Sequence, residues 1–300
     1  MNTMREQALK ARSHPRTATP RKALWALALG LIAIGAGTGC DQGPRRLMAQ
    51  AEGRWKQGDY LGAIQDYRRI IEDYPKSAVT DDAYYWIGTL ESLYLHDDVH
   101  AVLTYQKLIH DYPASPHRLS AQQAMAEIYD HKLHDLRRAI TEYQKLIEKS
   151  SDPPLREKIQ YRIGEAYMDL NDLDQARTEW DLLVKQAPQS PWADNALYRI
   201  GNTYLLQAQY KLALTVYQDL LTRYPGTDMR TETQFGIAQC LEETERLKEA
   251  LAKYRELETD YPNPQLIRLK IRNLERRLKS GPDGPGRSKP ASSPQSSFMS

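Results

Sequence analysis

Residues 190–225 read SPWADNALYRIGNTYLLQAQYKLALTVYQDLLTRYP, and two amphipathic helices are legible in them. Ser190-Pro191 offers an N-cap residue followed by a proline at the first helical position. Leu197, Ile200, Tyr204 and Leu205 then recur at helical spacing and give a first apolar face. Gly201, on that face, leaves room for a neighbouring helix. Gln207-Ala208-Gln209 form the turn. Tyr210, Ala213, Leu214, Tyr217, Leu220 and Leu221 give a second apolar face. Tyr224-Pro225 stops it, because proline lacks the backbone donor and disfavours helical geometry in the residue before it. The segment is predicted to be helix–turn–helix.

The same pattern recurs along the chain. Ala63, Ala101, Ala139, Ala176, Ala213 and Ala250 are spaced by 38, 38, 37, 37 and 37 residues. An aromatic stands four residues after each: Tyr67, Tyr105, Tyr143, Trp180, Tyr217 and Tyr254. A proline follows eight residues later at Pro75, Pro113, Pro188, Pro225 and Pro262, while the third copy carries Ser151 there. Self-similarity at a fixed period implies a stacked array in which each unit contacts its neighbours, not one globular core.

These residues resemble the tetratricopeptide repeat. That family places a small residue in helix A, an alanine twelve positions on in helix B, an aromatic four later and a proline eight after that. Gly164–Ala176, Gly201–Ala213, Ala238–Ala250 and Ala51–Ala63 keep the twelve-residue interval. Gly88–Ala101 and Ala126–Ala139 are thirteen apart, so repeats two and three are predicted to have a turn one residue longer. The resemblance covers residues 47–262 and implies an all-α, right-handed α-solenoid of six helix–turn–helix repeats. The period exceeds the family's usual ~34 residues, and the surplus lies between the proline and the next helix A. With Ser77, Ser115, Ser190 and Thr227 as candidate N-caps, helix A is expected to be about one turn longer. The Tyr-Pro-x-Ser style is similar to repeats of the BamD and YbgF families of bacterial envelope proteins.

After Asn263-Pro264, Ile267, Ile271, Leu274 and Leu278 line one face of a predicted capping helix over 263–279, which covers the last hydrophobic face of the array. Residues 280–300, rich in Ser, Pro and Gly, are expected to be disordered.

At the other end, a basic stretch closing on Arg21-Lys22 precedes the apolar run Ala23 to Ala36, then Gly37-Thr38-Gly39-Cys40. The run falls short of the ~20 residues of a membrane span and suits a signal-peptide core. Residues 1–40 resemble a bacterial lipoprotein signal, although Gly37 stands where that family usually has a branched aliphatic. The resemblance implies acylation of Cys40, a short tether over 41–46, and a membrane anchor facing the periplasm. Two or more acyl chains at ~0.8 kcal/mol per buried methylene hold stably. The outer membrane is the expected location. Asp41 points the other way, because enterobacterial lipoproteins with Asp at that position stay in the inner membrane.

Composition narrows the partners. Of the 41 basic and 39 acidic side chains, residues 1–40 hold six and one, leaving 35 against 38 and a net of −3. Such a balance gives no electrostatic case for nucleic acid. With Cys40 acylated, Cys240 has no disulfide partner and reads as a small buried residue. His96, His100, His131 and His134 invite a metal reading. However, Asp59, Asp97, Asp135 and Asp172 share one register position, where Asp caps helix B, and the histidines read as exposed turn residues. No nucleophile motif or phosphate loop occurs, so no catalytic residue and no cofactor is expected. Six bases on the capping helix, Arg268, Lys270, Arg272, Arg276, Arg277 and Lys279, read as a solvated face, with contact to anionic lipid or an acidic partner as the functional alternative.

The candidate binding site is the fifth position of each helix A: Met48, Tyr85, Gln123, Tyr161, Tyr198 and Phe235. In the family this position faces the concave groove, with Thr89, Glu127, Glu165, Asn202 and Gln239 beside it. An aromatic ladder edged by amides and acids suits a peptide segment. The expected function is a lipid-anchored, non-enzymatic adaptor for other envelope proteins. Alternatives are a BamD-like part in outer-membrane β-barrel assembly and a cell-wall enzyme on a repeat chassis.

Overall fold

The computed structural model describes residues 42–280, which form thirteen α-helices with no strand among the described residues. Six pairs follow in order: α1 (Gln42–Lys56) with α2 (Tyr60–Asp73), α3 (Thr80–Leu93) with α4 (Asp98–Asp111), and α5 (Arg118–His131) with α6 (Leu136–Lys149). Then come α7 (Pro153–Asp169) with α8 (Leu173–Gln186), α9 (Ala193–Leu206) with α10 (Tyr210–Arg223), and α11 (Arg230–Glu243) with α12 (Leu247–Glu256). The last, α13 (Pro264–Ser280), is the expected capping helix, and its Ile267, Ile271 and Leu274 are buried against α11 and α12. No described helix is long and apolar enough to cross a membrane. The expected signal peptide, Cys40, Asp41 and the tail beyond Ser280 lie outside the described residues.

From α2 onward each helix packs on the helices before and after it in sequence, and α1 joins α2 through Ala51, Ala63 and the Arg54–Asp66 ion pair at 3.2 Å. All six register alanines are 0% exposed, which is what lets helices A and B touch. The aromatic four residues on is buried in every repeat. Burial of each such ring stabilises the stack by about 2–3 kcal/mol.

The A–B turns repeat one geometry. A residue with positive φ sits in each, at Gly58, His96, His134, Asn171, Ala208 and Glu245. The next residue is the N-cap of helix B. In four repeats it is an aspartate accepting a backbone N–H: Asp59 from Gly62 (3.0 Å), Asp97 from His100 (3.3 Å), Asp135 from Arg138 (3.1 Å) and Asp172 from Gln175 (3.3 Å). Gln209 and Arg246 hold the same place without a side-chain cap. The longer turns of repeats two and three are present: residues 94–97 and 132–135 join their helices, against 57–59 in repeat one.

Three expectations need correction. Helix A is not a turn longer. In repeats two, three, five and six it has 14 residues, like most helices B. The surplus forms tandem tight turns, seen as Ser77 N–H to Tyr74 O and Thr80 N–H to Ser77 O, and repeated at Ser115 and Ser190. Ser115, Ser190 and Thr227 accordingly cap no helix. Their hydroxyls accept the N–H two residues on, of His117, Trp192 and Met229, before the helix starts. Pro191 lies in this turn and not at a first helical position. Among the described helices A, α7 is the longest, at 17 residues, where Ser151 replaces the proline and Pro153-Pro154 begin the helix. Finally, residues 42–46 are part of α1, with Pro44 buried, where a tether was expected.

Candidate functional site

The helix-A column belongs to α1, α3, α5, α7, α9 and α11, and the structure shows what each ring touches. Tyr85 stacks on the imidazole of His117 in the next repeat, with centroids 4.5 Å apart and planes 11° from parallel. That imidazole is itself held by Asp82, Nε2 to Oδ1 at 2.7 Å. Tyr161 leans on Trp192 of the next repeat at 5.1 Å and is only 7% exposed. Tyr198 packs on Tyr217 at 6.3 Å. Phe235 stacks on Tyr261 at 4.6 Å. Met48, Tyr85, Gln123, Tyr198 and Phe235 are half-buried. Tyr85 and Tyr161 therefore help join successive repeats, Tyr198 and Phe235 pack within their own, and all but Tyr161 keep part of their surface in solvent.

The neighbouring row is polar, and helix B reaches through to it. The Tyr105 hydroxyl lies 3.2 Å from Thr89 Oγ1, which in turn donates to Tyr85 O. Tyr217 donates to Asn202 Oδ1 at 2.5 Å. Gln123 donates to Glu127 at 2.8 Å. Glu165 and Gln239 are half-buried. Burial raises the pKa of Tyr105, Tyr143, Tyr217 and Tyr254 far above the ordinary phenol value, so their hydroxyls stay protonated donors.

A charged relay across three consecutive helices A is a feature the sequence reading missed. Asp130 on α5, 2% exposed, receives Arg162 of α7 through Nε at 2.6 Å and Nη2 at 2.5 Å. Tyr143 adds a third bond at 3.0 Å. Burial works to raise the Asp130 pKa, but the Arg162 guanidinium outweighs it and holds the carboxyl below its usual range. Arg162 also meets Glu165 at 3.2 Å, and Arg199 of α9 meets the same Glu165 at 3.2 Å and Tyr161 Oη at 3.3 Å. The signal was present, since Tyr161-Arg162 and Tyr198-Arg199 recur 37 apart. A second missed feature is a run of rings at the start of the array. Trp55 lies 5.0 Å from Trp86 and 6.3 Å from Tyr94, and Tyr94 stacks on Tyr60 at 4.3 Å.

The other candidates resolve individually. His96 and His134 occupy the positive-φ turn positions. His100 Nδ1 lies 2.8 Å from Asp97 Oδ2, and His131 Nε2 lies 3.6 Å from Asp130. No group of three metal-ligating side chains comes together among the described residues. Cys240 is fully buried and burial pushes its thiol up to about 11. On α13, Arg268 pairs with Glu258, Lys270 with Glu242, and Arg277 with Glu242 and Glu245, whereas Arg272, Arg276 and Lys279 are exposed.

Paired helices stacked in register around buried alanine–aromatic contacts, with a periodic column on helix A, define a helical-repeat protein of the kind that mediates protein–protein contacts. Models of the tetratricopeptide repeat match residues 47–77, 132–191, 195–227 and 232–264, together just over half of the chain. The chain belongs to the tetratricopeptide-repeat family. One solved structure supports the fold, and two others are more loosely similar. The C-terminal part of a TPR repeat-containing protein from Cytophaga hutchinsonii is 15% identical, with a TM-score of 0.56, over 76% of this chain and 87% of that one. A tetratricopeptide repeat protein from Parabacteroides merdae is 15% identical, with a TM-score of 0.47, over 79% and 89%. YrrB, described as a TPR protein with an unusual peptide-binding site, is 14% identical, with a TM-score of 0.48, over 69% and 97%. No curated protein matches the sequence.

Proposed function

We propose that this chain is a lipid-anchored adaptor of the bacterial envelope that faces the periplasm and holds segments of other envelope proteins along its helix-A column. The observation that carries the binding reading is the half-buried row Tyr85, Tyr198 and Phe235 beside Asn202, Gln239 and Glu165. Partly solvated rings supply apolar area at low entropic cost, and amide and carboxylate groups beside them satisfy the backbone of a bound segment. The anchor reading rests on Gly39-Cys40 after an apolar run, with the outer membrane favoured and Asp41 the feature that points to the inner membrane. The adaptor performs no bond chemistry, consistent with side chains engaged in packing and ion pairing. A role in β-barrel assembly like that of BamD is the nearest alternative, and regular 37–38-residue spacing without insertions weighs against it.

Photo-crosslinkers placed in cells at Tyr85 and Tyr198 test the binding reading, with a control at Leu212, which is 50% exposed on α10. Partners captured from the column and not from Leu212 support the groove. Identical captures from all three positions reject it, and recovery of a barrel-assembly subunit from the column selects the BamD-like role. Palmitate labelling of wild type and of Cys40→Ser tests the anchor, because an unlabelled wild type removes it.

A further inference from the structure

A cleft of about 720 Å³ opens between α2, α3 and α4, and no residue of the groove column lines it. Ile71, Tyr84, Ile87 and Leu103, the last 50% exposed, give it an apolar strip, and Glu72, His100, Lys107, His110 and Asp111 complete the lining with charges of both signs. Its floor is a carboxylate. Glu91 is 4% exposed, accepts the Thr104 hydroxyl at 2.7 Å, and receives only a long contact, 3.4 Å, from Arg68. Arg68 reaches in from the mouth, and its side chain is 57% exposed.

Comparison between repeats shows what is unusual at the floor of the cleft. Counted three residues from the small residue of helix A, the position of Glu91 is Tyr129, Tyr167, Tyr204 and Leu241 in the repeats that follow. Four repeats place a bulky apolar or aromatic side chain there. Repeat two has exchanged a ring for an acid. Burying a carboxylate costs free energy that a ring would not, and burial accordingly pushes the Glu91 carboxyl above its usual range. Within the fold its return is one hydroxyl bond, a distant guanidinium and the more remote field of His100, which Asp97 opposes.

We propose that this cleft is a second binding site, separate from the helix-A column, for a short peptide segment of a partner that carries a lysine or arginine flanked by apolar residues. The apolar flanks lie on Ile71, Ile87 and Leu103. The cation meets Glu91, displacing Arg68 outward into solvent, which costs little because a mostly exposed, long ion pair contributes little. Charge complementarity sets the choice of occupant, since Glu91 is the buried ionisable group on the floor and a cation satisfies it best.

The test uses the purified full chain with labelled isoleucine and leucine methyls. The probe is acetyl-Leu-Lys-Leu-amide, and the same peptide with norleucine for lysine is the neutral control. Saturable shifts at Ile71, Ile87 and Leu103 are expected, with the control roughly tenfold weaker, as withdrawal of a charge-assisted bond implies. Glu91→Gln keeps the shape and the Thr104 bond and should lose a similar factor. Arg68→Ala removes the internal competitor and should tighten binding. Glu91→Tyr restores the side chain of repeats three to five and should abolish the shifts while the chain stays folded. No saturable shift, equal affinity for the norleucine peptide, or shifts that survive Glu91→Tyr would each overturn the proposal. Crosslinks from Tyr85 and Tyr198 should be unchanged in Glu91→Tyr, so the two sites fail or stand separately.

Discussion

Asp130 and Arg162, from consecutive repeats, form a two-pronged ion pair in which the carboxylate side chain is fully buried and the guanidinium is 24% exposed. Its contribution is asymmetric. Both desolvation penalties are already met in the folded array, so removing one partner leaves the other stranded. Arg162→Met should destabilise the chain by about 3 kcal/mol, and Asp130→Asn by less, because the amide strands no charge on the carboxylate side. Denaturant titration of the three proteins checks the order.

The pair also sets an acid limit. The Asp130 carboxyl is depressed in the fold, so its contribution is fully present above the unfolded value near 4. It is lost as pH falls through the lower folded value. Below about pH 4, stability should fall more steeply in the wild type than in Asp130→Asn, with matching slopes above it. Parallel slopes for the two proteins in the acid range would show that Asp130 does not titrate as described.

Gly201 and Gly53 are both helical glycines for which the same substitution should have opposite signs. Added at Gly201, a Cβ would run into the ring of the buried Tyr217, which also fills the space beside Gly236 in the next repeat. At Gly53 nothing lies within 4 Å. Gly53→Ala should stabilise by about 0.5–1 kcal/mol through helix propensity. Gly201→Ala should lose that gain and more to overpacking, for a net cost of about 1–2 kcal/mol. Melting curves of both variants decide the matter.

The fifth A–B turn can be improved. Ala208 has φ +56°, a left-handed conformation that glycine adopts without strain, and Gln209 occupies the cap position without capping. Its backbone, φ −86° and ψ 55°, is close to that of the four aspartate caps. Ala208→Gly should add about 1 kcal/mol, and Gln209→Asp about 0.5–1 kcal/mol. Failure of either to raise the melting temperature would mean that this turn frays before the array unfolds.

The register of Ala63 through Ala250 made the helix pairs, the turns and the cap readable, because those contacts recur with the period and each depends on one residue type. The linker before helix A was misread for a related reason. A serine two residues after proline satisfies an N-cap and a tight turn equally well, and only the backbone path separates them. The groove column was legible as positions, but its burial was not. Tyr161 disappears beneath Trp192 because a bulky residue stands at the N-cap of α9, which is information carried 31 residues away. The Asp130–Arg162 pair was hidden because Asp130 reads as one more acid on a helix until the next repeat is laid against it.

Cys240 offers a probe of how the array opens. Its thiol is fully buried among Tyr217, Ile237 and Leu257, and burial raises its pKa to about 11. Both effects suppress the thiolate, so attack requires local or global opening. The natural comparison is Cys40→Ser, in which Cys240 is the single thiol of the chain. Native labelling by a disulfide reagent at pH 8 should be more than roughly 100-fold slower than labelling in denaturant, because the thiolate fraction and the access fall together. Glu242→Ala, which removes the acceptor of Tyr254 and the partner of Lys270 at the junction of the last repeat with α13, should speed native labelling. Asp59→Ala, at the first repeat, should leave the rate nearly unchanged, since a stack held by nearest-neighbour contacts opens from its ends. Equal acceleration by both variants would mean that the array unfolds as one unit.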